Sequence, residues 1–182
     1  MNNEILQTRP SWEQHFMAHA ELAAKRSTCI RMQTGAVLVK HNRVISEGYN
    51  GVASEEQHCS EYWKEFVYDK DQGYDEGKFH EFLRSDEFRK RHHQWSKENE
   101  LHGEQNAIMY ASKRGIKTNK ADMYTVYSPC IQCAKVIASA GIKRVYYKLR
   151  YKRDTEGIAL QFLRRNNIAV YIVDDDGNIT NG

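Results

Sequence analysis

Four side chains in two short stretches have the types and spacing of a reaction centre. They are His102 and Glu104 in "LHGEQ" (101–105), and Cys130 and Cys133 in "SPCIQC" (128–133). One imidazole and two thiolates make a three-ligand zinc set whose fourth tetrahedral position stays open for water, the pattern of catalytic zinc. Zinc brings the pKa of such a water to about 7. Glu104 follows the histidine by two positions, so it can reach that water without binding the metal, which suits a proton carrier. A lone Cys-x-x-Cys is often a structural zinc knuckle or a redox pair, and a lone His-x-Glu means little. Both together in this order, with Pro129 directly before the first cysteine, are far more specific.

The elements around these stretches must bring them together. "GEQNAIMYASKR" reads as a helix that ends at Gly115, a residue type favoured just past a helix. "ADMYTVYS" reads as a strand, and "IQCAKVIASA" as a helix ended by Gly141. His102 and Glu104 then stand at the first turn of one helix. Cys130 and Cys133 stand at the first turn of the next, straight after a strand. The positive ends of two helices favour the thiolate forms. His-x-Glu followed by Pro-Cys-x-x-Cys is the signature of zinc nucleobase deaminases. In that chemistry hydroxide attacks the amino-bearing carbon, the glutamate carries a proton to the neighbouring ring nitrogen, and ammonia leaves.

The rest of the chain supplies a frame. Ser11 and Gln14 form a capping box for a helix over about 12–26, with Trp12, Phe16, Ala20 and Ala23 on one face. "TGAVLVK" and "RVISEGYN" flank Lys40-His41-Asn42 as a β-hairpin. Residues 53–100 change character: charged, aromatic and His-rich, without a strand-like run, they read as an insertion of loops and short helices. "KRVYYKL" is a strand, Thr155 is a candidate cap for a helix through "EGIALQFLRRN", "IAVYIV" is the last strand, and "DDDGNITNG" is a polar tail. This predicts one domain over residues 1–182, an α/β fold with a mixed five-stranded sheet and helices on both faces.

Composition narrows the partners. With 182 residues, 40% hydrophobic and 28% charged, the chain can bury one real core. A net charge of +3 does not demand a nucleic acid, but it allows one phosphorylated metabolite. No apolar run approaches the roughly 20 residues of a membrane span. The opening "MNNEILQTRPSWEQ" does not read as a signal peptide. The four cysteines are therefore expected as thiols in a reducing, cytoplasmic compartment, where metal binding or chemistry is their usual use. The basic run "RSDEFRKRHHQ" (84–94) reads as a solvated helix face, with nucleotide phosphate or an acidic partner as the alternative.

Most of the chain resembles the deoxycytidylate (dCMP) deaminases, especially the phage-type enzymes of the zinc-dependent cytidine/deoxycytidylate deaminase superfamily. The resemblance rests on "TGAVLVK", "RVISEGYNG", the place of the insertion, "WSKENELHGEQNAI" and "SPCIQCAKVIASAGIKRVYY". It implies a cytidine deaminase-like three-layer α/β/α fold with strands four and five parallel, and conversion of dCMP to dUMP and ammonia, feeding thymidylate nucleotide synthesis. It implies that Asn50 contacts the sugar, that Tyr151 binds substrate, and that Tyr127, Ser128 and Gly103 flank the base pocket. Arg31 is a candidate phosphate partner. It further implies a second, structural zinc at Cys29, Cys59, His92 and Glu100. The residues alone leave His93 as an alternative to His92, with His58 and His80 also in the insertion.

The resemblance also implies a homo-oligomer, with a hexamer favoured, and the host cytoplasm if the chain is viral. It implies activation by dCTP with Mg2+ and inhibition by dTTP. Gly48, Tyr49, Gly51 and Lys113 are the candidate effector contacts, Lys113 standing where phage relatives carry Arg. Two positions depart from the pattern: Gly103 where alanine is usual, and Val126-Tyr127 where a Thr-Leu pair is usual. A missing methyl and an added phenol beside the base would suit a substrate such as 5-methyl- or 5-hydroxymethyl-dCMP. Other readings are a cytidine or tRNA adenosine deaminase, or a non-catalytic zinc-binding interaction protein. Glu104 speaks against the last, because a structural site needs no proton carrier.

Overall fold

A computed structural model describes residues 9–68 and 71–182. Most of the opening stretch screened above for a leader lies outside the described residues. Among the described residues, no helix is long and apolar enough to cross a membrane.

The chain begins with α1 (Trp12–Ala24), entered through the expected capping box. The Ser11 backbone N–H donates to Gln14 Oε1 at 2.9 Å, and the Gln14 N–H donates to Ser11 Oγ at 3.2 Å. Strands β1 (Gly35–Lys40) and β2 (Arg43–Tyr49) form an antiparallel hairpin. Its two-residue turn is His41-Asn42, both with positive φ, which matches the twist of paired strands. The insertion folds as α2 (Cys59–Phe66), α3 (Glu76–Arg84) and α4 (Asp86–Asn99), the last longer than the short helices expected. Then come α5 (Gly103–Lys113), β3 (Asp122–Tyr127), α6 (Ile131–Ser139), β4 (Arg144–Leu149), α7 (Ile158–Arg165) and β5 (Ala169–Val173). Helix α7 opens at Gly157, in the left-handed region, not at Thr155. Asp154 Oδ2 accepts from the Ala159 N–H at 3.3 Å, so the capping acid comes from outside the helix.

The five expected strands are all present, and a sixth extends them. The sheet order is β2-β1-β3-β4-β5-β6, with β3–β4 and β4–β5 parallel. Strand β6 (Ile179–Asn181) lies in what reads as a polar tail. A turn makes it: the Asp174 carboxylate accepts from the Asn178 backbone at 2.8 Å and its side chain at 2.9 Å, and Gly177 takes φ +80°.

The strands are buried on both sides with period two. Leu38, Met123, Val145 and Val170 face α5, α6 and α7. Val37, Tyr124, Tyr146 and Val173 face α1. That is the three-layer architecture expected of such a sheet. The insertion has a small core of its own around Trp63, Phe79, Phe88 and Trp95.

Helix α5 is seated on the sheet through glycine. A Cβ on Gly48 would lie 2.3 Å from Ala107 N and 2.4 Å from Gly103 O, both backbone atoms of α5. Two hydrogen bonds fix the contact: Ser46 Oγ donates to Ala107 O at 2.6 Å, and Asn106 Nδ2 donates to Tyr49 O at 2.7 Å. The prediction is that Gly48→Ala costs about 1–3 kcal/mol, a Tm drop of roughly 2–12 °C in thermal denaturation. Gly51→Ala, where a Cβ would meet nothing within 4 Å, is expected to stay close to wild type.

Candidate active site

The two motifs meet because each opens a helix. His102 is the N-cap of α5, and its backbone N–H donates to Gln105 Oε1 at 2.9 Å. Cys130 is the N-cap of α6, where its Sγ accepts from the Cys133 N–H at 3.5 Å. Strand β3 delivers α6 to this point, and the Ser128 N–H donates to Leu149 O at 2.8 Å to hold the strand-to-helix turn. His102 Nδ1 stands 3.5 Å from Cys130 Sγ and 3.3 Å from Cys133 Sγ. A sulfur and a nitrogen on one tetrahedral zinc stand roughly 3.5 Å apart. The three donors thus already have the spacing of a zinc site.

Their electrostatics fit the same use. A hydrogen bond from Cys133, followed by contact with His102, holds the Cys130 thiol down at about 4. The Cys130 sulfur in turn lifts His102 to about 9. Cys133 is pushed up by its bond to Cys130 and by burial. The group is a thiolate with protons shared beside it, and a divalent cation displaces such protons on binding. Glu104 is buried, outside the three-donor set, and burial raises its carboxyl above the usual range. A carboxyl raised in this way beside an open metal position is suited to take up a proton and give it back.

A cleft of about 750 Å3 opens onto these groups. Tyr127, Ser128, Tyr151, Asn50 and Arg31 all border it. Ser128 Oγ accepts from the Tyr151 N–H at 2.9 Å, so that pair shapes the wall. Both polar ends of Asn50 are engaged: Oδ1 accepts from the Thr34 N–H, and Nδ2 donates to Met32 O, each at 2.9 Å. Asn50 thus braces the loop entering β1 as well as bordering the cleft.

Gly103 behaves differently from expectation. A Cβ there would stand 3.3 Å from Gly35 Cα, Gly48 O and Thr34 O, and the residue does not border the cleft. Its missing methyl makes room for strand backbone, not for a base. The effector candidates are also dispersed. Gly48 is closed off by α5, and Gly51 is buried and bridged to Leu101. Lys113 sits in the last turn of α5, about 15 Å along the helix from Gly103.

A second donor group forms under the insertion. One donor atom each from Cys29, Cys59, His92 and Glu100 lie within 4.8 Å of one another. His92 Nε2 is 3.4 Å from both sulfurs. Glu100 Oε2 accepts from Ser96 Oγ at 2.6 Å, while the buried Oε1 has no partner among the described residues. Burial, then the charge of Cys29, pushes that carboxyl up to about 7. A buried, unpartnered carboxylate oxygen beside two thiols and an imidazole fits a closed four-ligand zinc site. His93 takes no part, because it faces the cleft. The sequence reading also missed that Lys97, Lys152 and Arg153 border that cleft. The one available signal was the Lys152-Arg153 pair directly after Tyr151.

Comparison with known proteins agrees with this geometry. Residues 10–149 match the family model of the cytidine and deoxycytidylate deaminase zinc-binding region. ComE operon protein 2 of Bacillus subtilis (strain 168) is 38% identical over 92% of this chain and 74% of its own length. The deoxycytidylate deaminase of Enterobacteria phage T4 is 36% identical over 85% of this chain and 86% of its own. Among solved structures, the dCMP deaminase of cyanophage S-TIM5 in complex with dCMP and dUMP superposes with a TM-score of 0.64 at 27% identity. It covers 90% of this chain and 98% of that one. The chain belongs to the zinc-binding cytidine and deoxycytidylate deaminase family.

Proposed function

We propose that the chain hydrolyses dCMP to dUMP and ammonia. The observation that carries this reading is Glu104, buried beside three zinc-spaced donors at the floor of an open cleft. The deoxycytidylate deaminases among its relatives support the choice of base and sugar. A zinc ion on His102, Cys130 and Cys133 would supply Lewis acidity and a water ionised near neutral pH. Glu104 accepts a proton at its carboxylate and delivers it to the ring nitrogen next to the amino-bearing carbon. Glu104 then takes the remaining proton from the added hydroxyl and delivers it to the amino group, so that the carbon–nitrogen bond breaks, ammonia leaves and the carbonyl forms. The α5 and α6 N-termini favour negative charge at the sulfurs and at Glu104, which keeps these ligands and the carrier poised. Tyr127, Ser128 and Tyr151 wall the cleft beside the place a base would take. With Gly103 turned away from the cleft, Tyr127 is the departure that remains at its wall, and the unmodified base is the favoured substrate.

Two predictions follow from the donor sets. Glu104→Gln is expected to lose about 10²- to 10⁴-fold in kcat on dCMP, followed by absorbance, while zinc content stays at the wild-type value. A wild-type protein inactive on every cytosine nucleotide would end the reading. Metal analysis is expected to give two zinc ions per chain, one for each donor group. Cys59→Ser should retain about one and lower Tm by more than about 5 °C, because structural zinc contributes directly to folding. A firm value of one in the wild type would remove the second site.

A further inference from the structure

A second cavity, of about 700 Å3, lies at the other end of the hairpin from the active site. Strand β1 starts beside Thr34, which borders the cleft, and ends at the His41-Asn42 turn, where Asn42 borders the second cavity. A rise of about 3.3 Å per residue over Gly35–Lys40 sets the two openings roughly 17 Å apart. Three pieces of chain meet there. Arg9 precedes α1, Trp12, His15 and His19 lie on α1, and Arg43 opens β2. Among the described residues, neither arginine is in an ion pair, and no carboxylate borders the cavity. Elsewhere the chain pairs such cations: Arg144 grips Asp122 through two bonds, and Lys148 holds Glu21 and Asp175.

Both guanidiniums are oriented without losing their charge. Arg9 lies over the Trp12 ring, 5.9 Å from its centroid, and Trp12 is stacked on Phe16 at 5.4 Å and 12°. A guanidinium held by its face keeps its N–H donors, which lie in its plane, for other partners. Arg43 NH1 donates to the neutral Asn42 carbonyl at 3.0 Å. His15 and His19, one turn apart with ring centroids 4.7 Å from each other, add imidazole groups on the α1 side. The Ser11–Gln14 box already occupies the α1 N-terminus, so side chains carry the site. Two guanidinium forks beside one opening are complementary to a phosphate, which each can grip through two parallel bonds. The cavity is in the range of small-molecule sites, about 300–1,000 Å3, so a phosphate alone would not fill it. Its remaining wall includes Pro10, Phe16 and Val44, which suit a flat or apolar body.

We infer that this cavity is a second ligand site, for a small organic phosphate whose phosphate group is held by Arg9 and Arg43 and whose body lies against Trp12 and Val44. No member of either donor group borders it, so it is a binding site and not a second reaction centre. It does not rest on the deaminase reading. Trp12 has two uses there: it holds Arg9 by its face, and it offers the ligand an exposed ring edge.

The test titrates AMP, adenosine and inorganic phosphate into the full zinc-loaded chain, by calorimetry and by tryptophan fluorescence. Fluorescence reports on this cavity because Trp12 is 39% exposed, whereas Trp63 and Trp95 are 1% and 9%. AMP is expected to quench Trp12 and to bind at least about 10-fold more tightly than adenosine or inorganic phosphate. Arg9→Ala and Arg43→Ala should each weaken AMP binding by about 10- to 100-fold, the range for a hydrogen bond to a charged group. Arg43→Lys, which keeps the charge but not the fork, should stand between wild type and Arg43→Ala. All three variants should turn over dCMP as wild type does, since none of these residues borders the cleft. Trp12→Phe keeps a ring under Arg9, so the calorimetric signal should persist while the quench disappears. AMP binding that is unchanged in Arg9→Ala and Arg43→Ala overturns the inference, because the ligand then sits elsewhere, the cleft included. So does a quench that survives Trp12→Phe, inorganic phosphate bound as tightly as AMP, or no AMP binding at all. If no cytosine nucleotide is turned over, the deaminase reading fails, and the titrations still decide this site.

Discussion

The close approach of α5 to the backbone of the β1–β2 hairpin sets the position of nearly everything else in this protein. Gly48 lets Ala107 and Gly103 come within a distance that any Cβ would forbid, and Gly103 faces Gly35 and Gly48 in turn, where a Cβ would make tight contacts of 3.3 Å. Gly35 performs the same service on the opposite face, where a Cβ would stand 2.3 Å from Ala20 O of α1. Two helices are thus pressed onto one strand pair from both sides. The result reaches the chemistry directly, because the seated end of α5 carries His102 and Glu104. A helix held a fraction of an ångström farther out would move His102 and Glu104 together, away from sulfurs fixed independently by β3 and α6. The tolerance of a catalytic constellation is about 0.5 Å, so tight backbone packing here is a functional requirement as much as a stability one.

The second half of the centre is placed by a different device. Parallel pairing of β3 with β4 sends α6 across the sheet, and the buried Pro129, one residue before the helix cap, fixes φ at the approach to its first turn. Cys130 then acts as helix cap and metal donor at once. That dual use is economical physically: the sulfur accepts the Cys133 N–H at the positive end of the helix, and both contacts favour the thiolate that a metal needs. His102 stands at the N-cap of the other helix, where its backbone N–H donates to Gln105 and its ring is left for the sulfurs.

These local rules explain what could be read from sequence. The four central residues were legible because each motif lies in the first turn of a helix whose pattern is plain. The strands were legible from their β-branched and aromatic runs. Strand β6 was not, since its three residues are exposed and its pairing depends on an Asp174–Asn178 turn. Gly103 shows a different limit. Composition reveals that a methyl is missing, but only the packed structure shows that the space faces Gly35 and Thr34 rather than a base. The choice between His92 and His93 lay between the two. Phe88, His92 and Trp95 are buried at i, i+4 and i+7, so the apolar stripe of α4 puts His92 inside and His93 off to one side. Phasing that helix from its aromatics would have made the assignment.

That phasing also explains why the insertion belongs to the active site. Cys29 comes from the body of the fold, between α1 and β1, whereas Cys59, His92 and Glu100 come from the insertion or its end. A zinc ion on the four donors would therefore tie the insertion to the body at the base of α4. A helix pinned on its His92 side has little freedom to rotate, and a rotation of about 100° separates consecutive side chains. Holding His92 inward therefore holds His93 toward Arg153, and Lys97, one turn farther along, toward the same opening. The buried aromatic cluster of Trp63, Phe88 and Trp95 packs on that same face of α4 and resists the same rotation. An insertion with a small core would otherwise be a poor platform for binding groups, which need rigid support. Here the buried donors and the aromatics share one face of α4, and together they fix which side of that helix borders the cleft.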